Sequence, residues 1–571
     1  MRTTTLCKGL LVGWLCLLTS GAQGGDFDGS SLLFARLDVS SQATKNQRPI
    51  FLRINANGTQ PAEDVQTPLG SVWKLFVYAY AVDRAIPTPD YVCRGGTAAK
   101  EELYCCDPGQ SVTRDVALAK SCGLFFDPAR LHLDAQDWHQ YWSSKLPQVP
   151  WLADLVQLKP AHQVSISSLL QALSGIDGVA RERAESALLG VVLYGRGQNA
   201  LRYLGGRYRV KTFTWNHPHR PDSVIGGAAG WTSDGSAVWF GALGSSVKVL
   251  QDYAPQLAAI AKDAGETERQ TRCVDVSLFA RYPIKRISAL SDDVELTPGI
   301  AQDLRGNFLV EFANGKKLAM HADNELRLDW SAAKPVLSAR LDENEYIARV
   351  IDREGRAKEK EASRALSIVA RTYLLQNATR HGECLAIADS SRSQRVSPSP
   401  ASAAARDIAA FTSGLILQGV NAQYRLNATG KNVLSWQSAV IHAKAGMQFD
   451  EILRRSFEHA SLASVNGATE CKPLPEAERW LQEQARHWRY ELQSEPGFVA
   501  PQPQVCLLSF GNPYSDMSRQ RIFVRGLFSL NNRITLAHEY LHLAFSDYPS
   551  GQDENYIEQW ARRLIEGESR T

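Results

Sequence analysis

Thr67-Pro-Leu-Gly-Ser71-Val-Trp-Lys74-Leu-Phe-Val-Tyr78 is a stretch of sequence whose only charged residue is Lys74. The apolar residues after Ser71 fall on nearly every side of a helix, which predicts a helix buried in the core of a domain. A lysine on such a helix needs a reason, and Lys74 lies one turn beyond Ser71, within reach of its hydroxyl. Because burial lowers the pKa of a lysine, a neutral Lys74 can deprotonate Ser71, which predicts a serine nucleophile with an amine base.

Three later segments follow in the order found in one enzyme family. Ser121-Cys-Gly123 resembles the Ser-x-Asn motif of penicillin-binding proteins, and Lys211-Thr-Phe213 lies in a strand-like segment where their Lys-Thr-Gly motif would stand. Residues 230–241 resemble the hairpin that follows. Residues 25–268 therefore resemble the penicillin-binding protein and β-lactamase family, which implies an α/β domain. By this resemblance the catalytic residues are Ser71, Lys74, Ser121, Lys211 and Thr212.

Two positions depart from that family's pattern. Gly123 replaces the asparagine, which removes a donor to the substrate amide, and Phe213 replaces the glycine that lets substrate backbone lie along the strand. These departures predict a degenerate serine site. A retained fold that binds stem peptides without cutting them is the alternative.

Glu361-Ala-Ser-Arg-Ala-Leu-Ser-Ile-Val-Ala-Arg371-Thr-Tyr373 has helical spacing, with Glu361 at the head of an apolar face. A carboxyl group covered at that position would have a raised pKa and act as an acid, whereas an exposed one would only be a first-turn acid favoured by the helix dipole. The segment aligns without a gap with EALKAQAVAARTY, the signature of the stage II sporulation protein D family. Residues 341–350 and 389–394 resemble neighbouring elements of that family.

This second resemblance implies a mixed α+β domain over residues 269–468 that cleaves peptidoglycan glycan strands as a lytic transglycosylase. Glu361 would be the general acid. Arg371, Tyr373, Asp389 and Gln394 would line the glycan cleft.

Near the C-terminus, Thr535-Leu-Ala-His538-Glu539-Tyr-Leu-His542-Leu-Ala544 has two histidines four residues apart, on one face of a predicted helix. Imidazoles at this spacing can share one Zn²⁺, and Glu539 can act on a metal-bound water as general base. A second predicted helix begins after Asp553 and carries Glu554 and Glu558 on one face.

This arrangement resembles the HExxH zinc peptidases called gluzincins, which implies a small zincin-like α+β domain over residues 469–571. By the resemblance His538, His542 and Glu554 bind Zn²⁺, and Glu558 orients the first histidine. An exchange of roles between the two glutamates is the alternative.

Residues 1–24 have the pattern of an export signal, with Arg2 and Lys8 before a short apolar run and small residues after it. No later stretch approaches the length of a transmembrane helix. The sequence therefore predicts an exported protein, located in a bacterial periplasm. Eight cysteines remain after cleavage, and their even number predicts disulfides, with Cys471–Cys506 as one pair.

The 571 residues predict a multidomain α+β protein, and a net charge of +3 without basic runs gives no case for nucleic acid. The predicted function is a peptidoglycan-active hydrolase that combines a glycan-cleaving site, a zinc peptidase site and a degenerate serine site. The alternative is a wall-binding scaffold or a periplasmic zinc protease serving a protein partner. As a whole the chain resembles the YfaQ-type secreted proteins, which implies a partner of the bacterial α2-macroglobulin type.

Overall fold

The computed structural model describes residues 31–568 apart from 39–47, 99–100, 218–219, 264–271, 292–295, 297–298, 332–333, 382–383, 392, 419, 429–431, 459, 466–472, 509–512, 517–519, 528, 547 and 549–552. The predicted signal peptide and Cys471 lie outside the described residues. No helix in the described ranges is long and apolar enough to span a bilayer.

The first region is built around a six-stranded sheet. The strands of this sheet are β1 (Leu32–Leu37), β2 (Ile50–Asn55), β3 (Gly58–Pro61), β8 (Tyr208–His217), β9 (Arg220–Thr232) and β10 (Ala237–Leu243). The short strands β4 (Gln66–Pro68), β5 (Tyr91–Val92), β6 (Ser111–Val112) and β7 (Gln163–Ser165) form two small separate sheets, β4 with β7 and β5 with β6. Its helices are α1 (Trp73–Asp83), α2 (Arg114–Lys120), α3 (Ala135–Lys145), α4 (Ile166–Ser174), α5 (Gly178–Leu193), α6 (Leu201–Leu204) and α7 (Ser246–Asp263).

The sheet has the order β3-β2-β1-β10-β9-β8, and its pairings among described residues are antiparallel. This corrects the predicted α/β topology, because α/β domains have parallel strands. Alternate residues of β1 point to opposite faces: Leu33 and Ala35 pack with α1, whereas Leu32 and Phe34 pack with α7. The strand-like segment around Lys211 is confirmed as β8, which lies at one edge of the sheet.

The predicted buried helix is confirmed as α1, in which every residue from Trp73 to Ala81 is buried. It begins later than the sequence suggests, because Gln66–Pro68 forms a strand and Gly70–Val72 forms a 3₁₀ turn. Ser71 therefore lies in a tight turn at the start of the buried helix, where it is partly exposed.

The middle region contains a seven-stranded sheet in the order β12-β13-β14-β15-β11-β17-β16. Its strands are β11 (Cys273–Leu278), β12 (Ile284–Ala289), β13 (Gln302–Phe312), β14 (Lys317–Ser331), β15 (Lys334–Asp342), β16 (Thr379–His381) and β17 (Cys384–Ala388), with the smaller β18 (Leu415–Gln418), β19 (Gln423–Arg425), β20 (Val433–Ser435) and β21 (Ser461–Ser464) outside it. Its helices are α8 (Glu343–Glu354), α9 (Lys360–Asn377), α10 (Ala403–Phe411), α11 (Trp436–Lys444) and α12 (Phe449–Ser456). The predicted helix from Glu361 to Tyr373 is confirmed within α9.

The first and middle regions share a packed core. Leu189 and Leu201 of the first region pack in one cluster with Leu366, Phe411 and Leu453 of the middle region. The backbone N–H of Gly206 also donates to the carbonyl of Phe411. The two regions therefore bury apolar surface against each other, which stabilises their contact.

The C-terminal region has α13 (Pro475–Leu492), β22 (Gln504–Leu507), β23 (Tyr514–Asp516), β24 (Arg521–Val524), α14 (Leu530–Ala544) and α15 (Glu554–Glu568). The strand β24 pairs parallel with β22 and antiparallel with β23. The predicted cap is confirmed, because Asp553 Oδ1 accepts from the backbone N–H of Asn555 at 3.0 Å. The helix of the two histidines is α14, which packs closely against α15.

Candidate active sites

The serine centre is assembled from three elements. Lys74 Nζ on α1 lies 3.0 Å from Ser71 Oγ in the preceding turn and 3.1 Å from Ser121 Oγ. It also donates to the carbonyl of Ser121 at 3.0 Å. One amine therefore contacts both hydroxyls, which is the arrangement that proton transfer to and from a serine nucleophile requires.

Burial sets the protonation of this amine. Lys74 is 6% exposed, and loss of hydration lowers its pKa from 10.5 to about 7. Lys211 on β8 is completely buried, and its pKa is lowered by burial, then by the charges of Lys74 and Arg196. Lys211 Nζ donates to the carbonyl of Thr212 at 3.0 Å. The structure thus brings Ser71, Lys74 and Ser121 into contact, with Lys211 and Thr212 beside them.

Phe213 does not cover the outer edge of β8. Its side chain is 1% exposed and stacks on Trp239 in the core, with ring centroids 6.1 Å apart. It fits because its neighbour is Gly70, whose φ is +49° and where an added Cβ would lie 2.7 Å from Phe213 Cβ. The ring of Phe213 therefore points into the domain and not toward a substrate on the strand.

Gly123 faces the lysine amine. A Cβ at this position would lie 3.7 Å from Lys74 Cε and 4.0 Å from Lys74 Nζ, and the backbone is in the helical region that any residue adopts. The position thus corresponds in space to a residue that lines the serine centre. Glycine there removes a side-chain donor and leaves room beside the amine.

We expect the rate of acylation of Ser71 to depend on the fraction of Lys74 that is neutral. The Lys74 amine faces Ser71, Ser121 and Lys211. Only the neutral amine accepts the serine proton, so the rate should rise as the pH increases through about 7 and then level off. The measurement is the rate of covalent labelling by a fluorescent penicillin across that range, with Ser71→Ala as background. A rate that stays low until pH nears 10.5, the ordinary lysine value, would contradict it.

The middle region places its polar residues around a glutamate that the sequence did not single out. Glu354 ends α8, and burial raises its pKa against the hydrogen bonds from Tyr424 and the backbone of Arg395, which lower it. Tyr373 and Asp389 lie near Glu354. The pKa of Tyr373 is raised by burial and then by the charge on Glu354, and the charge on Asp389 adds to the effect of burial in raising the pKa of Glu354. These groups form a carboxyl-and-tyrosine cluster.

Three of the predicted cleft residues, Asp389, Gln394 and Tyr373, belong to this cluster or contact it. Asp389 is 8% exposed, and burial raises its pKa against hydrogen bonds from the backbones of Val396 and Phe279. Gln394 is completely buried, accepting from Tyr346 at 2.7 Å and donating to Tyr424 at 3.3 Å. Tyr373 is partly exposed and packs edge-on against Tyr424. Only Tyr373 among these three is open to a ligand.

Glu361 lies in a different place. Its Oε1 accepts from Arg364 at 2.8 Å, and its Oε2 accepts from the backbone N–H of Phe449 at 3.0 Å, at the start of α12. Tyr373 is twelve residues further along the same helix, roughly 18 Å away. The structure therefore separates Glu361 from Tyr373, Asp389 and Gln394.

Arg371 is not at a surface. It is completely buried, with Nε 2.8 Å from Glu343 Oε1, Nη1 2.7 Å from the carbonyl of Thr412, and Nη2 3.0 Å from Asn344 Oδ1. The predicted contact between Arg371 and a glycan is corrected, because its guanidinium joins α8, α9 and the end of α10 inside the domain.

A signal for Glu354 is present in the sequence. Tyr346, Val350 and Glu354 are spaced four apart and share one face of α8, and the first two are completely buried. A carboxylate that continues a buried apolar stripe has a raised pKa for the same reason as a buried lysine has a lowered one. The stripe of Tyr346, Val350 and Glu354 is therefore the sequence signal for a buried carboxyl group in this region.

The two histidines of α14 converge. Their Nε2 atoms lie 3.1 Å apart, close to the roughly 3.3 Å between two nitrogens that share one tetrahedral Zn²⁺. Glu558 Oε2 lies 3.1 Å from His538 Nδ1, the contact that fixes the ring of a metal-binding histidine. Glu539 follows on the same helix and is 7% exposed.

The third predicted ligand is not defined. The backbone of Glu554 begins α15, but its side chain lies outside the described residues. Within the described part of the chain, no three histidine, cysteine or acidic side chains form a group able to hold a metal ion. The convergent imidazoles and the Glu558 contact fit Zn²⁺, and the full ligand set remains a prediction.

We expect the protein to take up about one Zn²⁺ per chain and Glu558→Gln to weaken zinc affinity by roughly 10- to 100-fold, because the amide holds His538 less firmly. The measurement is competition for zinc against a chromophoric chelator. Glu566→Gln on the same helix, whose carboxylate is exposed beside Arg562, is the matched control. Equal affinities for the Glu558→Gln and control variants would remove Glu558 from the site.

Comparison with solved structures gives distant likenesses over part of the chain. An ancestral class A β-lactamase of Gram-negative bacteria is 15% identical, covering 41% of this chain and 94% of that one, with a TM-score of 0.26. The transpeptidase domain of the FtsI4 D,D-transpeptidase from Legionella pneumophila is 16% identical, covering 41% and 90%, with a TM-score of 0.27.

Comparison of sequences gives a relative over most of the chain. The family model described as "Predicted secreted protein (DUF2300)" matches residues 97–222 and 432–550. The uncharacterised protein YfaQ of Escherichia coli strain K12 is 42% identical over 506 residues, which cover 88% of this chain and 90% of that protein. The chain therefore belongs to the family of YfaQ, as its sequence predicted.

Proposed function

We propose that this protein is an exported cell-wall enzyme whose serine centre forms an acyl-enzyme with the stem peptides of peptidoglycan. The observation that carries the proposal is the position of Lys74 Nζ, 3.0 Å from Ser71 Oγ and 3.1 Å from Ser121 Oγ. A family of predicted secreted proteins is the setting that such a substrate requires. The proposed location is the periplasm.

The chemistry follows from these contacts. Neutral Lys74 takes the proton of Ser71, whose oxygen then attacks a peptide carbonyl to form an ester while the amine beyond that carbonyl leaves. Ser121, bound to the same amine, can return the proton to the leaving nitrogen. Water or a second amine then cleaves the ester and restores Ser71.

Two features support an acidic peptide as the substrate. The outer edge of β8 is beside the site, and an extended peptide can add to such an edge as a further strand. A cavity of about 520 Å³ beside the Ser121 turn is lined by Lys120 and Arg196, and also by Glu102 and Asp107. The Glu102 carboxylate already accepts from Tyr91 and from the backbone of Arg94 and Gly95, and Arg196 stacks on Tyr104. Lys120 and Arg196 form no ion pair among the described residues, so both can bind a carboxylate of the substrate.

A second function, zinc-dependent peptide cleavage, is favoured by the 3.1 Å separation of His538 Nε2 and His542 Nε2. In this proposal His538, His542 and Glu554 would hold Zn²⁺, which would supply a Lewis acid, and Glu539 would be the general base toward water. A partner of the α2-macroglobulin type stays a prediction. In that case this chain would be a periplasmic zinc protease that acts with the partner, or a wall-binding scaffold for it.

The middle region is proposed to cleave the glycan strand, with Glu354 as the acid in place of the predicted Glu361. Burial raises the pKa of Glu354, which is the direction that favours an acid, and partly exposed Tyr373 lies beside it. Glu361 instead has both oxygens accepting hydrogen bonds, from Arg364 and Phe449. The ion pair with Arg364 sets Glu361 apart from Glu354, whose carboxyl group accepts from Tyr424 and from the backbone of Arg395.

We expect Glu354→Gln to reduce the release of anhydro-sugar ends from purified sacculi by about 100-fold or more, because the amide cannot donate the acid proton. Glu361→Gln, which keeps a hydrogen-bonding group of the same shape, should retain most of the release. Mass spectrometry of the soluble products measures both. Loss of the product in Glu361→Gln alone would return the acid role to the residue that the sequence predicted.

The same digestion tests the proposed serine function. Wild-type protein should release the terminal residue of stem peptides, and Ser71→Ala should not. Glu539→Gln separates any cut made by the zinc site. If the Ser71→Ala protein releases the terminal residue at the wild-type rate, the serine centre is not the enzyme.

A further inference from the structure

Two consecutive cysteines tie one loop to two different places. Cys106 is bonded to Cys93 at the end of β5, whereas Cys105 is bonded to Cys122. Cys122 is the residue between Ser121 and Gly123, the two positions that face Lys74. Cys105 and Cys122 are 2% and 0% exposed. A buried disulfide therefore enters the serine centre through the middle of its second motif.

Ser121 needs to be held in place. It caps the end of α2 with φ 74° and ψ 33°, a left-handed conformation that residues other than glycine seldom adopt. In that conformation its hydroxyl and its carbonyl both accept from Lys74 Nζ. Such a conformation persists when the surrounding structure fixes it, and the adjacent residue is fixed covalently.

The loop that carries Cys105 has its own support. Glu102 accepts from the backbone N–H of Arg94 at 2.9 Å and of Gly95 at 2.8 Å, and from Tyr91 Oη at 2.8 Å. The Cys93–Cys106 bond closes the same loop. The loop is thus anchored to β5 independently of Cys122, and it provides a rigid attachment for the turn that contains Ser121.

We propose that the Cys105–Cys122 disulfide is a positioning element of the serine centre: it holds Ser121 against Lys74, so that the amine stays buried between two hydroxyls. This inference rests on the proposed function for its effect on acylation. Its effect on Lys74 stands by itself. The neighbouring Cys93–Cys106 bond supports the same loop but makes no covalent link to the Ser121 turn, so its loss should have the smaller effect.

The test compares Cys105→Ser with Cys122→Ser against Cys93→Ser with Cys106→Ser, each pair in the full exported chain. Labelling by a fluorescent penicillin should fall by about 100-fold in the first pair, because the base loses its partner and its burial. In the second pair it should change by no more than a few fold. Near-ultraviolet circular dichroism verifies that both pairs are folded.

A second readout does not depend on acylation of Ser71. The reaction of Lys74 with trace acetic anhydride, followed by peptide mass spectrometry, reports the pH at which its amine becomes neutral. The midpoint should move from about 7 toward the ordinary 10.5 in the first pair and stay near 7 in the second. If the wild type takes no penicillin, the proposed function fails, and this profile still decides the role of the disulfide.

An unchanged Lys74 profile in the first pair would overturn the proposal, and so would equal losses in both pairs. If the Cys105→Ser, Cys122→Ser protein fails to fold, the double variant Cys105→Ala with Cys122→Val takes its place, because its side chains keep the site of the disulfide apolar. Failure of that pair to fold as well would give the disulfide a structural role only, which also overturns the proposal.

Discussion

Lys74→Met is expected to slow the covalent labelling of Ser71 by a fluorescent penicillin by about 10²- to 10⁴-fold, the contribution of a well-placed general base. Methionine keeps the length and apolar body of the side chain, so the buried helix around it stays packed. What it removes is the amine that contacts Ser71 and Ser121. The loss should therefore appear in the rate of labelling and not in the folding of the domain.

Lys120→Met is the matched control. Lys120 ends α2 next to Ser121 and lines the adjoining cavity, but it does not contact the hydroxyl of Ser71 among the described residues. Its replacement should weaken capture of an anionic probe by a few fold and leave the maximal rate of labelling unchanged. If the Lys74→Met and Lys120→Met proteins are labelled at similar rates, Lys74 is not the base.

The largest effect on stability is expected for Glu343→Ala, which should lower the free energy of unfolding by about 3–5 kcal/mol. Arg371 is completely buried, and its Nε lies 2.8 Å from Glu343 Oε1. Burial lowers the pKa of Arg371, but a guanidinium group stays protonated in proteins. Removing the carboxylate therefore leaves its charge inside the protein without that partner. Urea unfolding followed by tryptophan fluorescence measures the loss.

Asp275→Ala is the control for that measurement. Asp275 pairs with Arg340 at 2.8 Å, but the Arg340 side chain is 69% exposed, so the pair should contribute about 0–1 kcal/mol. A Glu343→Ala protein as stable as the Asp275→Ala protein would mean that Arg371 finds water or another partner. The predicted role of Arg371 in a glycan cleft would then be open again.

The serine centre shows what local sequence can predict. Ser71 and Lys74 are three residues apart, so helical geometry alone brings the amine to the hydroxyl, and the burial of α1 follows from its apolar composition. The orientation of Phe213 could not be predicted in this way. It depends on Gly70, which is distant in sequence and makes room for the ring only in the folded domain.

The middle region shows the opposite case. The signature around Glu361 predicts α9 correctly, but a helix of this length carries its two ends far apart, and the polar residues gather near Glu354 on α8. Which carboxylate lies beside Asp389 depends on how α8 and α9 pack on the sheet. Residue spacing along one helix has no information on that packing.

Long-range pairing is also beyond a single sequence. The even number of cysteines predicts disulfides, but not that Cys105 and Cys106 would bond to Cys122 and Cys93. Cys273 and Cys384 join two adjacent parallel strands of the middle sheet, β11 and β17. Cys506 is disulfide-bonded too, and its predicted partner Cys471 lies outside the described residues.

The measurement that tests the central claim most directly is a mass spectrum of the protein after incubation with a penicillin, followed by mapping of the modified peptide. We predict a mass increase equal to one penicillin, located on the peptide that contains Ser71, and its absence from Ser71→Ala. A folded wild-type protein without the adduct, or with the adduct on another residue, would contradict a serine acyl-enzyme at this centre.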